Sequence, residues 1–309
     1  MCGRTLKRKD LQLSLIGVPT NSAGKRNGVA NAPAALRHAG LVEILSRFCQ
    51  VRDEGNVSFS MPTMKRDADS GIIAYSSLAS MVHSVRASIR HTLQEGRFPL
   101  VIGGDCPILL GCLAASVETF RPTGLLFVDG HEDAYPPHQS PTGEAADMEL
   151  GFALGLGVPG MIREAIGSMP LISAAEVCLL GPRDKKILQK TNVRSLDDGN
   201  IEYYDDTTLR KGNIEALMSK VTRQLASKVK KLWLHVDLDV LSTKSLPAVD
   251  YQQPGGLSWN QLEGLTNTAL SSGNVIGLNV TIYNPDLDSD NRFAKRIVKY
   301  LQTMLASMH

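Results

Sequence analysis

The sequence predicts an α/β fold: a mostly parallel sheet with helices packed on both faces. Short, wholly apolar runs such as residues 98–102 and 125–128 have the continuous hydrophobicity of strands buried on both sides. Between such runs lie segments with helical spacing, the longest carrying Ile73, Leu78, Met81, Val82, Val85, Ile89 and Leu93. Strands alternating with helices from end to end call for a parallel sheet. No linker, repeat or low-complexity stretch interrupts the pattern, so residues 1–309 read as a single domain.

Each element has its own warrant. Residues 11–18 form the first apolar strand, followed by a Gly/Asn/Ala-rich loop to Asn31. Pro33 opens a helix at a first-turn position, where its missing N–H is not needed. Residues 53–69 lack periodicity and read as an irregular connection. A long amphipathic helix over 72–93 leads to the strand 98–102, which ends in Gly103-Gly104-Asp105-Cys106-Pro107 before an apolar helix over 108–115. After the strand 125–128 comes a Pro-rich loop at 136–141, then a helix over 144–156 rich in Ala, Met and Leu. Strands at 177–180 and ending at 203–204 precede a helix over 214–225, and residues 232–241 form another strand. Ser258 with Gln261 three residues on marks the start of a helix over 259–270. A strand over 275–281 and an amphipathic helix over 292–308 close the chain.

Composition narrows the function. With 43% hydrophobic and 21% charged residues, the chain has the make-up of a globular protein. A net charge of +2 and no basic run beyond the Lys228–Lys231 patch argue against a nucleic-acid partner. No apolar run has the length of a membrane span, and the basic N-terminus has no apolar signal core behind it. Five cysteines, an odd number without framework spacing, fit a reducing cytoplasm.

Chemistry collects at the ends of three apolar runs: Gly103-Gly104-Asp105-Cys106, Asp129-Gly130-His131-Glu132-Asp133, and His235-Val236-Asp237-Leu238-Asp239. The carboxyl ends of parallel strands are where open α/β sheets bind ligands. If the strand conformation continued, Asp129, His131 and Asp133 would point to one side. Two carboxylates and an imidazole on one spot call for a cation between them. Adding Asp237 and Asp239 gives five ligands, with Cys106 a sixth, a number suited to two ions roughly 3.5 Å apart. Carboxylate-dominated coordination favours Mn²⁺, and a thiolate pulls toward softer ions. His235, inside a strand, reads as a hydrogen-bonded core histidine, and Trp233 and Met148 read as core.

These motifs, in this order, resemble the ureohydrolase (arginase/agmatinase) superfamily over most of the chain. The opening Gly17 to Arg37 is similar to that family's first strand, loop and helix, and Gly103-Gly104-Asp105 to its Gly-Gly-Asp-His segment. Asp129-x-His131-x-Asp133 is similar to Asp-Ala-His-x-Asp, Asp237-x-Asp239 to Asp-x-Asp, and Gly255-Gly256-Leu257 and Asn284-Pro285 fall in matching places. The resemblance implies a three-layer α/β/α structure, a trimer or hexamer, and two Mn²⁺ ions whose bound hydroxide attacks a guanidinium carbon. By matched position, Cys106, Asp129, Asp133 and Asp237 would hold one ion, and His131, Asp129, Asp237 and Asp239 the other, with Asp133 also orienting the hydroxide.

Departures from the family's pattern set the expected substrate. Cys106 stands where the family has a ligand His, and the following helix N-terminus is expected to lower its thiol pKa. Val240-Leu241-Ser242 replaces a further Asp-Pro, which removes support around the ligands. Ile282 replaces the Glu that contacts the guanidinium, and the loop after Asp133 has no His at the family's position. Glu144 and Asp147, three apart on one helix face, would supply the missing charge to a small-molecule substrate, with His138 as proton shuttle. The expected activity is metal-dependent cleavage of a C–N bond in a guanidino or amidino compound other than arginine or agmatine. The alternatives are a silent metal- or ligand-binding homologue and an amide hydrolase on the same site.

Overall fold

A computed structural model of the chain describes residues 11–198 and 200–308; the basic residues at the N-terminus read above lie outside them. Among the described residues the strands are β1 (Gln12–Val18), β2 (Gln50–Asn56), β3 (Phe98–Gly103), β4 (Thr123–Val128), β5 (Val177–Leu180), β6 (Glu202–Tyr204), β7 (Lys231–Asp237) and β8 (Val275–Thr281). They form one sheet in the order β2-β1-β3-β8-β7-β4-β5-β6, and every named pairing is parallel. The helices are α1 (Ala32–His38), α2 (Leu41–Leu45), α3 (Tyr75–Gln94), α4 (Ile108–Thr119), α5 (Glu149–Ala153), α6 (Gly160–Ile166), α7 (Lys185–Lys190), α8 (Asp206–Lys211), α9 (Ile214–Ala226), α10 (Trp259–Ser271) and α11 (Arg292–Ala306).

Strand alternation divides the core in two. Leu13, Leu100, Leu126, Leu234 and Leu278 face α1, α2, α9, α10 and α11. Ile16, Val101, Leu125, Phe127, Leu179 and Trp233 face α3, α4, α5 and α6. The central strands are buried throughout, so their sequences carry unbroken apolar runs. This is the three-layer α/β/α architecture that the resemblance implies. Among the described residues, no helix is long and apolar enough to cross a membrane.

Three segments differ from the sequence expectation. Part of the stretch read as irregular belongs to β2, an edge strand whose residues are mostly exposed or half-buried, so backbone pairing to β1 replaces any hydrophobic signal. β7 stops at Asp237 rather than running to 241, because the Asp237 side chain accepts the Asp239 N–H at 2.6 Å and starts a short 3₁₀ turn. The helix expected over 144–156 is broken: Ala145–Asp147 is a 3₁₀ turn, Met148 is non-helical, and α5 begins at Glu149. The Asp147 carbonyl accepts the Tyr135 N–H at 2.9 Å and its carboxylate holds the Ser140 and Thr142 hydroxyls. Asp147 therefore anchors the preceding loop instead of extending the helix, and it does not share a helix face with Glu144. The start of α10 is as expected, with Ser258 and Gln261 forming a reciprocal capping box.

Candidate metal centre

The four central strands β3, β8, β7 and β4 lie side by side, so the segments leaving three of them meet at one edge of the sheet. At the end of β3 the chain turns beneath the first loop. A Cβ on Gly104 would stand 1.9 Å from the Thr20 carbonyl oxygen, so only glycine fits there. Asp105 clamps the turn, accepting the Ser22 N–H at 2.8 Å and the Cys106 N–H at 3.0 Å. Cys106 then points inward, its thiol 2.6 Å from Asp237 Oδ2 and 3.1 Å from the Thr281 hydroxyl. Burial, reinforced by Asp237, Glu149 and Asp129, pushes that thiol well above its ordinary pKa. The lowering expected from the helix N-terminus is outweighed by desolvation and like charge.

β4 ends at Val128, so the alternation assumed for Asp129, His131 and Asp133 does not continue. A turn brings the first two together instead, with the His131 N–H donating to Asp129 Oδ1 at 2.7 Å. The imidazole reaches Asp239, Nδ1 to Oδ2 at 2.9 Å, and the other Asp239 oxygen accepts the Gly130 N–H at 3.0 Å. Asp129, His131 and Asp239 thus present ligand atoms within 4.8 Å of one another. Burial opposes charge on His131, but Asp239 and Asp129 overcome it and hold the imidazole well above its usual pKa. Asp133 adopts φ +42° and lies outside this cluster, with a carboxyl pushed up by burial and by Asp129 and Glu149.

A second group, Cys106, Asp129, Glu149 and His235, is also within 4.8 Å and wholly buried. Two of these members were not among the expected site residues. Glu149, the first residue of α5, has neither oxygen hydrogen-bonded, and Asp129 Oδ2 and His235 Nε2 are likewise unpartnered. His235 is a buried strand histidine as expected: it stacks on Phe127 and meets Asn279 through Nδ1 at 2.5 Å. Its Nε2, however, faces Asp129 Oδ2 at 3.6 Å. Unpartnered acid oxygens gathered beside a thiol are a donor set that a cation fits.

Above this floor lies a cavity of about 190 Å³. Its walls include the acids Asp133, Glu144, Asp147, Asp184, Asp237 and Asp239, together with His131, Tyr251 and Ile282, and no Lys or Arg lines it. Glu144 is raised above the usual range by burial, opposed by its hydrogen bond to the Tyr251 hydroxyl. Asp147 Oδ1 has no partner, and burial lifts this acid to about 6. Of the six non-glycine residues at positive φ among the described residues, Asp133, Tyr251 and Ile282 (φ +69°) all line this cavity. For a β-branched residue that conformation is strained, and such strain collects at functional sites. The Ile282 backbone is pinned by its N–H to the Gly104 carbonyl at 2.8 Å.

Of the expected site residues, the structure does not bring His138 to the cavity. It is exposed and sits in a separate hollow with Asp69, Ser70 and Gln139, so a proton-shuttle role has no path there. Asp184, absent from the expected set, enters from the loop after β5 with one oxygen unpartnered and burial raising it to about 6. The Leu180-Gly181-Pro182-Arg183-Asp184 run carries the same signal as the other three ends: apolar strand, then acid. For Glu149 the signal was a carboxylate set among Met148, Leu150 and Phe152.

Comparison with known proteins agrees with this geometry. The arginase of Bacillus caldovelox is 27% identical over 302 residues, covering 94% of this chain and 97% of its own. That of Bacillus subtilis is 27% identical over 304 residues, covering 96% and 98%. The Bacillus caldovelox arginase structure superposes with a TM-score of 0.85 at 26% identity, covering 96% of this chain and 98% of that one. Because the description of the Arginase family itself matches residues 11–306, nearly the whole length, the chain belongs to the arginase family.

Proposed function

We propose that the protein hydrolyses a C–N bond in a small guanidino or amidino cation, with two divalent metal ions held at the strand ends. The observation that supports this best is the crowd of acids around one cavity, with Asp129 Oδ2 unpartnered and Asp129 grouped with the wall residues Cys106 and His131. Buried carboxylates at that density stay ionised at neutral pH when cations sit among them. Asp129, His131, Asp237 and Asp239 would hold one ion, and Mn²⁺ suits their oxygen and imidazole donors. Cys106 would draw the other position toward a softer ion. When bound, the ions would supply a water of lowered pKa and positive charge at the floor.

The remaining work falls to the chain. Glu144 and Asp147 would meet the positive charge of the substrate, in place of the family's Glu at the Ile282 position. Ile282 would give its carbon skeleton an apolar contact. A carboxylate on the substrate's far end would meet mostly like charge along the walls, with His131 already engaged by Asp239, so that end is neutral or positive. Asp133, buried and facing the cavity, would take a proton from the attacking water and return it to the leaving nitrogen. The family resemblance also supports a homo-oligomer of cytoplasmic location, and native mass in solution tests the first part.

The test pairs metal content with turnover. Protein loaded with Mn²⁺ is expected to retain about two equivalents per chain and to release ammonia or urea from at least one cation in a guanidino and amidino panel. Asp133→Asn should keep the metal and lose the turnover. Two bound ions with no turnover on any compound would leave ligand binding as the function.

A further inference from the structure

We propose that Glu149 is itself a metal ligand, forming with Cys106 and Asp129 a thiolate–carboxylate site beneath the cavity. The proposal rests on the metal-dependent reading above and changes which residues carry it: the family resemblance assigns Asp133 and Asp237 to that ion. Asp133 stays out of the cluster, and Asp237 Oδ2 is engaged by the Cys106 thiol.

Glu149 is wholly buried, and among the described residues no side-chain donor apart from the neighbouring Asp133 carboxyl meets either oxygen. The side chains that act on it most strongly are acids: Asp129 and Asp105 oppose its charge, and the Asp133 carboxyl favours it by sharing a proton with it. It does not line the cavity, so it cannot be waiting for the substrate. Its oxygen, the Cys106 sulfur and an Asp129 oxygen lie within 4.8 Å of one another, yet no hydrogen bond joins Glu149 to either. Ligands about 2.0–2.3 Å from a common ion stand roughly 3–4 Å apart, a spacing that a group held within 4.8 Å can adopt. A cation between them would give the Glu149 and Asp129 oxygens the positive partner that the surrounding acids do not supply.

His235 belongs to the same group but is placed to hold Asp129 rather than the ion. An indole N–H can only donate, so the Trp233 Nε1 contact at 2.7 Å identifies the Asn279 oxygen. The Asn279 amide nitrogen therefore faces His235 Nδ1 at 2.5 Å and donates to it. That leaves the imidazole proton on Nε2, aimed at Asp129 Oδ2 at 3.6 Å. His235 is a positioning residue for the carboxylate shared by the two clusters.

The experiment uses the full chain loaded with Co²⁺, read by metal content, by the thiolate-to-cobalt charge-transfer absorption, and by melting temperature with and without metal. Unaltered protein should bind about two equivalents and show the charge-transfer band. Glu149→Gln should lose the band and one equivalent while keeping the other, and metal should raise its melting temperature by less than it raises that of unaltered protein. If Glu149→Gln keeps both equivalents and the band, Glu149 is a neutral buried acid that glutamine replaces, and the proposal falls. Should that variant fail to fold, Glu149→Asp, which keeps the acid and shortens its reach, should shift the band or weaken that equivalent, and an unchanged band and affinity overturn the proposal. No metal on the unaltered protein defeats the metal-dependent reading itself.

Discussion

The two sides of Asp129 are built to different standards. Toward His131 the polar atoms are satisfied: Nδ1 meets Asp239 Oδ2 at 2.9 Å, Asp239 Oδ1 holds the Gly130 N–H, and Asp129 Oδ1 holds the His131 N–H. Toward Glu149 they are not, with Asp129 Oδ2, both Glu149 oxygens and His235 Nε2 unpartnered. The satisfied side can stand without a cation because an imidazole supplies positive charge among its acids. On the other side stand a thiol, two carboxylates and an imidazole, Cys106, Asp129, Glu149 and His235, all buried, and on the proposed reading a bound cation answers their charge. On the proposed reading, the side built from His131 and Asp239 is complete as it stands, and the side built from Cys106 and Glu149 is completed by the ion it binds.

Breaking the residue common to both sides should have the largest effect. Asp129→Asn removes one charge from each cluster, whereas Asp239→Asn touches only the satisfied one. Asp129→Asn is expected to lose both metal equivalents, and Asp239→Asn to keep the ion beside Cys106. Activity of Asp129→Asn should fall by more than the roughly 10- to 100-fold typical of outer partners of a metal site. Metal analysis of the two variants in parallel checks it; equal losses would mean that the two sides are one site.

A smaller effect follows from the cavity acids. Burial raises Asp147 and Asp184 to about 6, above the ordinary carboxylate value of about 3.9. Between these values the folded state binds more protons than the unfolded one, so metal-free stability falls as pH rises, levelling off above about 7. Each acid can contribute up to about 3 kcal/mol to that fall. The metal-free protein should therefore melt higher at pH 5 than at pH 7, with the gap narrowed in an Asp147→Asn/Asp184→Asn variant. Metal loading should remove or reverse the slope, since cations hold the acids ionised.

Most of the frame was legible from periodicity, because strands buried on both faces must be continuously apolar. β2 was not: Gln50–Asn56 is a polar, largely solvent-facing edge, and nothing in its composition separates it from a loop. Acids closing three apolar runs pointed to Asp129, His131, Asp237 and Asp239, whose convergence is set by strand order. Glu149 was hidden because spacing alone extended one helix over 144–156. Only the Asp147 contacts to Tyr135, Ser140 and Thr142 show why the turn breaks and α5 restarts with Glu149 at its head. His138 failed for the converse reason: its proximity in sequence to the motif says nothing about which side of the loop it occupies.

The finest adjustment concerns the proton on His235. Trp233 donates to Asn279 Oδ1 and the Asn279 amide donates to His235 Nδ1, which keeps the hydrogen on Nε2 and withholds that nitrogen from any ion. Asn279→Asp keeps the shape and the acceptor for Trp233 but removes the donor facing Nδ1. The imidazole would then place its proton on Nδ1, toward the new carboxylate, and turn the Nε2 lone pair toward Asp129 Oδ2 and Glu149. A thiolate site with an added imidazole ligand favours Zn²⁺ and Co²⁺ over Mn²⁺. Asn279→Asp should therefore tighten Co²⁺ or Zn²⁺ at the Cys106 side by roughly 10- to 100-fold and leave the His131 side unchanged, as read by competition with a chelator. Unchanged affinity at both sides would mean that the Nε2 hydrogen is not what keeps His235 from the ion.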